Sequence, residues 1–188
     1  MSFWDSLLGR SKPARANLDA LFSLPSAGIT LTSALGFSPT GVGSVCFRGA
    51  EGPAFASTQA QVVELLAADG TEVTQHVDQF GFTWLTDRHD PDDLSGLVTE
   101  LHAVNSTLEL EGFGTGLLCS VVHFRDAAGR ALALVYLYKQ GTFYPFAPSG
   151  PQTRDNVLEI QVRDAVAEDL PVEKELSRWM ALWGAPGL

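Results

Sequence analysis

Residues 117–139 read LLCSVVHFRDAAGRALALVYLYK, and this stretch decides the fold. Leu117–Arg125 and Ala131–Lys139 are rich in β-branched, aliphatic and aromatic residues, which is typical of strands. The four residues 126–129 between them end in glycine and suit a hairpin loop. Because both sets of alternate positions in the second run are apolar, we expect both faces of this hairpin to be covered by other parts of the chain.

The chain downstream of this hairpin predicts one more strand and two helices. Thr142–Phe146 is the strand, and Pro145, which has no N–H to donate, favours a position at the sheet edge. A helix is predicted over about 154–169, with its end at Pro171. A last helix is predicted from about 173, because four large apolar side chains have helical spacing: Leu176, Trp179, Met180 and Trp183.

The chain upstream predicts a second hairpin and a long helix. The hairpin covers about 71–87, where Phe82 and Trp84 alternate with other side chains. Asp90 is predicted to cap the long helix, with Pro91 at the first helical position. That helix extends to Gly112 and carries one apolar face: Leu94, Leu97, Val98, Leu101, Val104 and Leu108.

Shorter elements are predicted nearer the N-terminus. Asn17 can cap a short helix that Pro25 stops, and Thr58 can cap a second helix. Ile29–Ala34 and Val42–Arg48 have the composition of strands. The resulting order of elements, αββαββαβββαα, predicts an α+β fold with a mainly antiparallel sheet and helices packed on it.

The charge distribution divides the chain into a head, residues 1–16, and a body, residues 17–188, which we expect to be a single domain. The 188 residues include 22 carboxylates and 12 lysines and arginines, for a net charge of −10. Three of the cations and one carboxylate lie in the head, so the net charge of the head is positive. The body therefore carries a larger negative net charge than the chain as a whole. A phosphate backbone is bound mainly by lysine and arginine, so we expect no nucleic-acid partner.

The head is the first candidate binding segment. Four of its side chains fall on one face of a two-turn helix, with two cations after them: Phe3, Trp4, Leu7, Leu8, Arg10 and Lys12. One interpretation is a peptide that binds a protein partner or the surface of an anionic membrane. The other is that the head folds back onto the body, and the sequence does not decide between them.

The sequence contains no pattern that we would assign to catalysis, a cofactor or a metal. The four histidines, His76, His89, His102 and His123, fall in separate predicted elements without ligand spacing. Cys46 and Cys119 lie among apolar residues, which predicts buried thiols in a reducing compartment. With no secretory pattern and no apolar run of about 18 residues, a non-enzymatic cytoplasmic protein is expected.

Several longer stretches resemble one known family, the actinobacterial PspA-associated protein PspAB. They are Phe3–Arg10, Asn17–Phe22, Phe80–Trp84, Leu101–Asn105, Leu134–Lys139, Gly141–Phe146 and Trp183–Leu188. The resemblance implies an adaptor or chaperone-like protein of the phage shock, or membrane stress, response that binds a PspA-type protein. It supplies no catalytic residue. Phe143, Tyr144 and Phe146, together with the head, are our candidate partner- or membrane-binding residues.

The order of elements over 92–169 is also similar to type III secretion chaperone-like and YbjN-like domains. This likeness of pattern implies a small acidic adaptor, commonly a homodimer. The alternative function is a small-molecule-binding regulatory domain, with a pocket between the long helix and the face that carries Tyr136 and Tyr138.

Overall fold

The computed structural model describes residues 16–67 and 72–188, in which four α-helices pack on a six-stranded sheet. The helices are α1 Leu24–Leu35, α2 Pro53–Ala67, α3 Leu94–Leu110 and α4 Asn156–Ala165. The strands of the sheet are β1 Ser38–Arg48, β2 Thr74–Val77, β3 Phe82–Arg88, β4 Leu117–Arg125, β5 Ala131–Leu137 and β6 Thr142–Phe146. A small ribbon pairs β7 Pro148–Gly150 with β8 Thr153–Arg154. The predicted α+β class with an antiparallel sheet and packed helices is confirmed.

The sheet has the order β2-β3-β1-β4-β5-β6, and each neighbouring pair is antiparallel. The predicted hairpins β4–β5 and β2–β3 are both present. Strand β6 lies at one edge, as its proline predicts, and strand β2 lies at the other. The β6 edge is partly covered, because the backbone of Phe143 bonds with Pro171 and Glu173 of a later loop.

Both faces of the sheet are buried, as the apolar pattern of β5 predicts. Leu132, Leu134 and Tyr136 point to the helix-covered face and share one core with the helices. Ala133 and Val135 point to the opposite face, where the core is completed by the C-terminal segment rather than by a helix. The sheet is therefore the middle layer of the molecule.

The predicted strand at Ile29–Ala34 is wrong, because these residues belong to α1. Pro25 does not stop a helix but lies in the first turn of α1, where its missing N–H has no intrahelical partner to lose. A 3₁₀ turn, Leu18–Ser23, precedes it. Leu24, Ala27 and Leu31 recur at helical spacing and are buried in the core, and this burial outweighs the strand preference of the β-branched residues between them.

Two predicted helix starts are also displaced. Thr58 lies inside α2, where its hydroxyl donates to the Ala54 carbonyl at 3.2 Å instead of capping the helix. The cap of α3 is Asp93 rather than Asp90, and its side chain accepts from the N–H of Gly96 at 2.9 Å. Asp90 instead accepts from the N–H of Asp92 in the turn before the helix.

The last predicted helix is wrong. After Pro171 the chain forms only a short 3₁₀ turn, Leu176–Arg178, and then continues without regular structure. Trp179 is buried, whereas Met180 and Leu176 are exposed, so the four apolar residues do not share a buried helical face. The ring of Trp179 stacks on Tyr144 of β6 at a centroid distance of 6.0 Å, which holds this segment against the sheet, and its indole Nε1 donates to the nearby Glu173 carbonyl at 3.0 Å.

The segment Leu18–Leu35 is long and apolar enough, by length and composition alone, to cross a membrane, although no such run was expected from the sequence. In the structure it consists of the 3₁₀ turn and α1. Its side chains Leu21, Leu24 and Leu31 are packed in the core between the sheet and the other helices. The core position therefore accounts for the buried part of this segment, which is 39% of its residues.

Candidate functional sites

An apolar groove lies on the face of the sheet opposite the helices. Its floor contains Cys46, Trp84, Cys119 and Tyr144, and its volume is about 850 Å³. One wall is the β2–β3 turn. The other is the segment 180–185, which has no regular secondary structure. We call this site the apolar groove.

Exposed apolar side chains surround the apolar groove. Phe80 is 71% exposed, Met180 is 61% exposed and Val77 is also exposed, and all three line the groove. Together they extend the apolar floor to the protein surface. Large exposed apolar side chains around a concave apolar floor are typical of a surface that binds another protein.

Hydrogen bonds fix both walls of the groove to its floor. The Tyr144 hydroxyl donates to the Met180 carbonyl at 2.9 Å, and burial raises the pKa of this tyrosine. The Trp84 indole donates to Asp78 at 3.0 Å, and the other carboxylate oxygen of Asp78 accepts from the N–H groups of Phe80 and Phe82. The groove is therefore formed by the folded chain itself.

The two cysteines lie side by side in the groove floor. Cys46 on β1 is directly opposite Cys119 on β4, and both thiols are free and buried. The neighbouring Cys119, and then burial, raise the pKa of the Cys46 thiol. The thiol form, which is a poor nucleophile, is therefore favoured at this position.

A second, wider cleft lies beside the end of β5 and has a volume of about 1400 Å³. Four cations line it: Lys139, Arg163, Lys174 and Arg178. Tyr138 lines it as well, so the cleft coincides in part with the pocket that the small-molecule interpretation predicts. Tyr136, however, is fully buried under the helices and does not line the cleft. Ala16, the first described residue, is another lining residue, so the head joins the body here.

A third group of side chains, which we call the carboxylate–imidazole cluster, joins β3 to α3. It consists of Asp87 at the end of β3, His89 just after it and Glu100 on α3. The imidazole Nε2 of His89 lies 3.1 Å from Asp87 Oδ2 and 3.1 Å from Glu100 Oε2. The Asp87 side chain is 1% exposed, that of His89 is 10% exposed and that of Glu100 is 14% exposed.

The protonation of this cluster is strongly perturbed. Burial, and then the neighbouring Asp87 carboxyl, raise the pKa of Glu100 to about 7. Burial lowers the pKa of His89, but Glu100 and Asp87 outweigh that effect, so the pKa stands above its ordinary value. Perturbed ionisable groups of this kind are common at functional sites.

The backbone around the cluster is fixed by Gly41. The N–H of His89 donates to the Gly41 carbonyl at 2.8 Å, and Gly41 has a φ of 74°, which L side chains rarely adopt. A Cβ at this position would also collide with the His89 carbonyl oxygen. A glycine at position 41 therefore sets the path of the chain through His89.

The structure corrects one group of predicted binding residues. Phe143, Tyr144 and Phe146 are all fully buried, so they are core residues rather than an exposed docking surface. The reason is that β6 has covered faces on both sides, where Phe143 belongs to the helix-side core and the other two to the opposite core. Tyr144 still contributes to the apolar groove, as part of its floor. The head residues lie outside the described residues: Phe3, Trp4, Leu7, Leu8, Arg10 and Lys12.

A family model described as PspAB, PspA associated protein B, matches residues 1–187. The chain belongs to this family. The PspAB description itself records an association with PspA, and the match extends over both the head and the body. No curated protein and no solved structure matches the chain, so the likeness to type III secretion chaperones and YbjN remains a prediction.

Two features of this PspAB chain were not predicted from the sequence. The apolar groove combines β2–β3 with a segment for which a helix was predicted, so its walls could not be foreseen. The cluster combines Asp87 and His89 with Glu100 from the next helix, and only the short Asp-x-His spacing at a strand end hints at it.

Proposed function

We propose that this chain is a non-enzymatic adaptor of the membrane stress response that binds a PspA-type protein. Its membership of the PspAB family carries the proposal, because the family description records association with PspA. The resemblance of the quoted stretches supports it independently of any single site. The adaptor acts by binding alone, in a chaperone-like manner.

The apolar groove is the docking surface in this proposal. Its exposed Phe80 and Met180 are large, and such side chains provide most of the binding free energy of a protein interface when a partner removes them from water. The groove floor is already formed and hydrogen-bonded to its walls, so little ordering of this chain would oppose binding. The expected ligand is an apolar segment of the PspA-type partner.

The proposal also covers the location and assembly of the protein. We expect a cytoplasmic homodimer that contacts the inner face of the membrane through its head. The positive charge of the head supports this orientation, because an acidic body would be repelled by anionic lipid. Neither the proposed partner nor the proposed membrane contact requires a nucleic acid.

Affinity measurements with purified PspA-type protein test the docking surface. The variant carries Phe80→Ser and Met180→Ser, which remove two exposed side chains from the groove rim without opening a core cavity. We expect the full-length chain to bind and the variant to lose at least about tenfold in affinity. Isothermal titration calorimetry supplies the dissociation constants.

The matched control is Leu110→Ser, because Leu110 is 85% exposed on α3, away from the groove. Its affinity for the partner should equal that of the unmodified chain. If the full-length chain does not bind the PspA-type protein, the proposed function is wrong. If it binds and the groove variant binds equally well, the groove is not the docking surface.

A further inference from the structure

We propose that the carboxylate–imidazole cluster binds a divalent transition-metal ion, with Zn²⁺ as the ion whose chemistry fits best. The ligands are one carboxylate oxygen each from Asp87 and Glu100 and the Nε2 of His89. This site is distinct from the apolar groove, and its occupancy does not depend on the proposed partner.

The spacing of the three ligand atoms fits one ion. The three atoms lie within 4.8 Å of one another, and Nε2 is 3.1 Å from each of the two carboxylate oxygens. Ligands bound tetrahedrally at zinc distances of about 2.1 Å are separated by about 3.4 Å. The two nitrogen–oxygen distances are therefore within a few tenths of an ångström of those in a zinc site, and side-chain rotations would adjust the separation of the two carboxylate oxygens.

The hydrogen-bonding pattern favours a cation between the three side chains. Nε2 can carry one hydrogen, yet it faces two carboxylate oxygens at the same distance. The contact with Asp87 has hydrogen-bond geometry, whereas Glu100 Oε2 is buried without a hydrogen-bond partner. An ion between the three groups would satisfy Nε2 and both oxygens at once.

The charge of the site points the same way. Asp87 is buried and Glu100 is 14% exposed, and within residues 16–67 and 72–188 these two carboxyl groups face His89 and form no ion pair with lysine or arginine. The adjacent Arg88 pairs instead with Glu72, at 3.9 Å. Buried carboxylates are normally paired or bound to metal, so a divalent cation would balance this pair.

Asp93 is positioned to orient the histidine. Its Oδ2 lies 3.4 Å from the other ring nitrogen, Nδ1, while its Oδ1 accepts from Gly96 as the cap of α3. A metal-bound histidine usually donates its second N–H to a carboxylate, which fixes the tautomer and the ring orientation.

The ligand types select the class of ion. One imidazole with two carboxylates suits Zn²⁺ and similar transition metals better than Mg²⁺ or Ca²⁺, which prefer oxygen ligands throughout. Three protein ligands leave a fourth position for water, on the partly exposed side of His89 and Glu100. Bound there, the ion would connect the end of β3 to α3 across the turn at residues 89–93.

Metal titration of the full-length chain tests the site. After treatment with EDTA and removal of the chelator, ZnCl₂ is titrated by calorimetry at pH 7.5, and CoCl₂ binding is followed by visible absorption. We expect each chain to bind one Zn²⁺ ion with a dissociation constant in the micromolar range or lower. Bound Co²⁺ should give the absorption spectrum of a four-coordinate ion. Glu100→Gln and Asp87→Asn should each weaken Zn²⁺ binding by more than about tenfold, and Asp93→Asn by about tenfold.

Glu100→Gln keeps the folded protein testable, because it preserves side-chain shape and removes a buried charge that lacks a hydrogen-bond partner. The matched control is Glu111→Gln, an exposed carboxylate just after α3, whose Zn²⁺ affinity should be unchanged. Absence of a micromolar site overturns the proposal. So does a site whose affinity is the same in Glu100→Gln and Asp87→Asn, because that site would lie elsewhere in the chain.

Discussion

His123 is a buried base on β4, only 2% exposed. Neither ring nitrogen has a hydrogen-bond partner of good geometry, and Gly187 packs beside the ring. Burial, and then the charges of Arg125 and Arg88, lower the pKa of His123 to about 4, although the nearby Pro186 carbonyl opposes this shift. The imidazole is therefore neutral in the folded protein at neutral pH. In the unfolded chain the same histidine has its ordinary pKa of about 6.5.

This histidine should make the folded protein less stable in acid. Between about pH 6.5 and pH 4 the unfolded state binds the proton and the folded state does not, so stability is lost as pH falls. Replacement by leucine, His123→Leu, removes this effect. We expect the free energy of unfolding of the unmodified chain to fall by about 2 kcal/mol more than that of the variant between pH 7 and pH 5.

Urea unfolding followed by circular dichroism at both pH values measures this difference. Comparison of the two proteins cancels the contribution of all other titrating groups. Equal losses of stability in the two proteins would contradict the assignment of His123 as a neutral buried base.

The metal ligands illustrate the limit of sequence reasoning at the residue scale. His89 has no second histidine or cysteine at ligand spacing, so its sequence neighbourhood predicts no site. The site appears only when the path through Gly41 brings His89 beside Asp87, and when α3 directs Glu100 toward both. Gly41 and His89 are far apart in the sequence, and the packing of α3 decides where Glu100 lies, so a single sequence does not contain this geometry.

At the scale of elements, the strands were predicted well because their signal is local. Period-two patterns and short turns identified β3, β4, β5 and β6 close to their observed bounds. The wrong predictions concern stretches whose sequence pattern is compatible with more than one type of secondary structure. Ile29–Ala34 has strand-forming residues but helical burial, and Leu176–Trp183 has helical spacing but is fixed by the long-range contacts of Trp179 with Tyr144 and Arg154.

Trp179 should be the main attachment of the C-terminal segment. Its ring stacks on Tyr144 at a centroid distance of 6.0 Å, and its side chain is buried. Truncation, Trp179→Ala, removes a large buried ring and the indole hydrogen bond, so we expect the free energy of unfolding to fall by about 3 to 5 kcal/mol. Urea unfolding measures the change.

The neighbouring Met180→Ala is the control, because Met180 is largely exposed. Its effect should stay within about 0.5 kcal/mol. A Trp179→Ala protein as stable as this control would mean that the segment is not held by the indole.

At the scale of the whole molecule, the charge division predicts which part of the chain would form the proposed membrane contact. Four cations of the acidic body line the cleft that Ala16 adjoins, but so do Glu109, Asp164 and Glu173, of which Asp164 pairs with Arg163 and Glu173 with Arg178. The head enters the body at this cleft. In the proposed membrane contact, the positive charge is therefore supplied by the head, which carries Arg10, Lys12 and Arg15, rather than by this cleft.

Deletion of residues 2–12 tests this membrane contact. Cosedimentation with vesicles of phosphatidylglycerol and phosphatidylcholine should recover the full-length chain and lose most of the deletion variant, because the apolar residues and two cations are removed together. Vesicles of phosphatidylcholine alone are the control and should recover neither protein. Equal recovery of both proteins on the anionic vesicles would end the role of the head as an anchor.

The C-terminal cover of the sheet also has a consequence for biosynthesis. All six strands are translated before Trp179 and Leu182 reach the growing chain, and these residues help to complete the second core. A nascent chain can thus assemble the sheet and its helices while the other face stays bare. Exposed apolar surface of this kind promotes aggregation. We therefore expect ribosome-associated chaperones to engage this protein late in its synthesis, on the face that later becomes the groove.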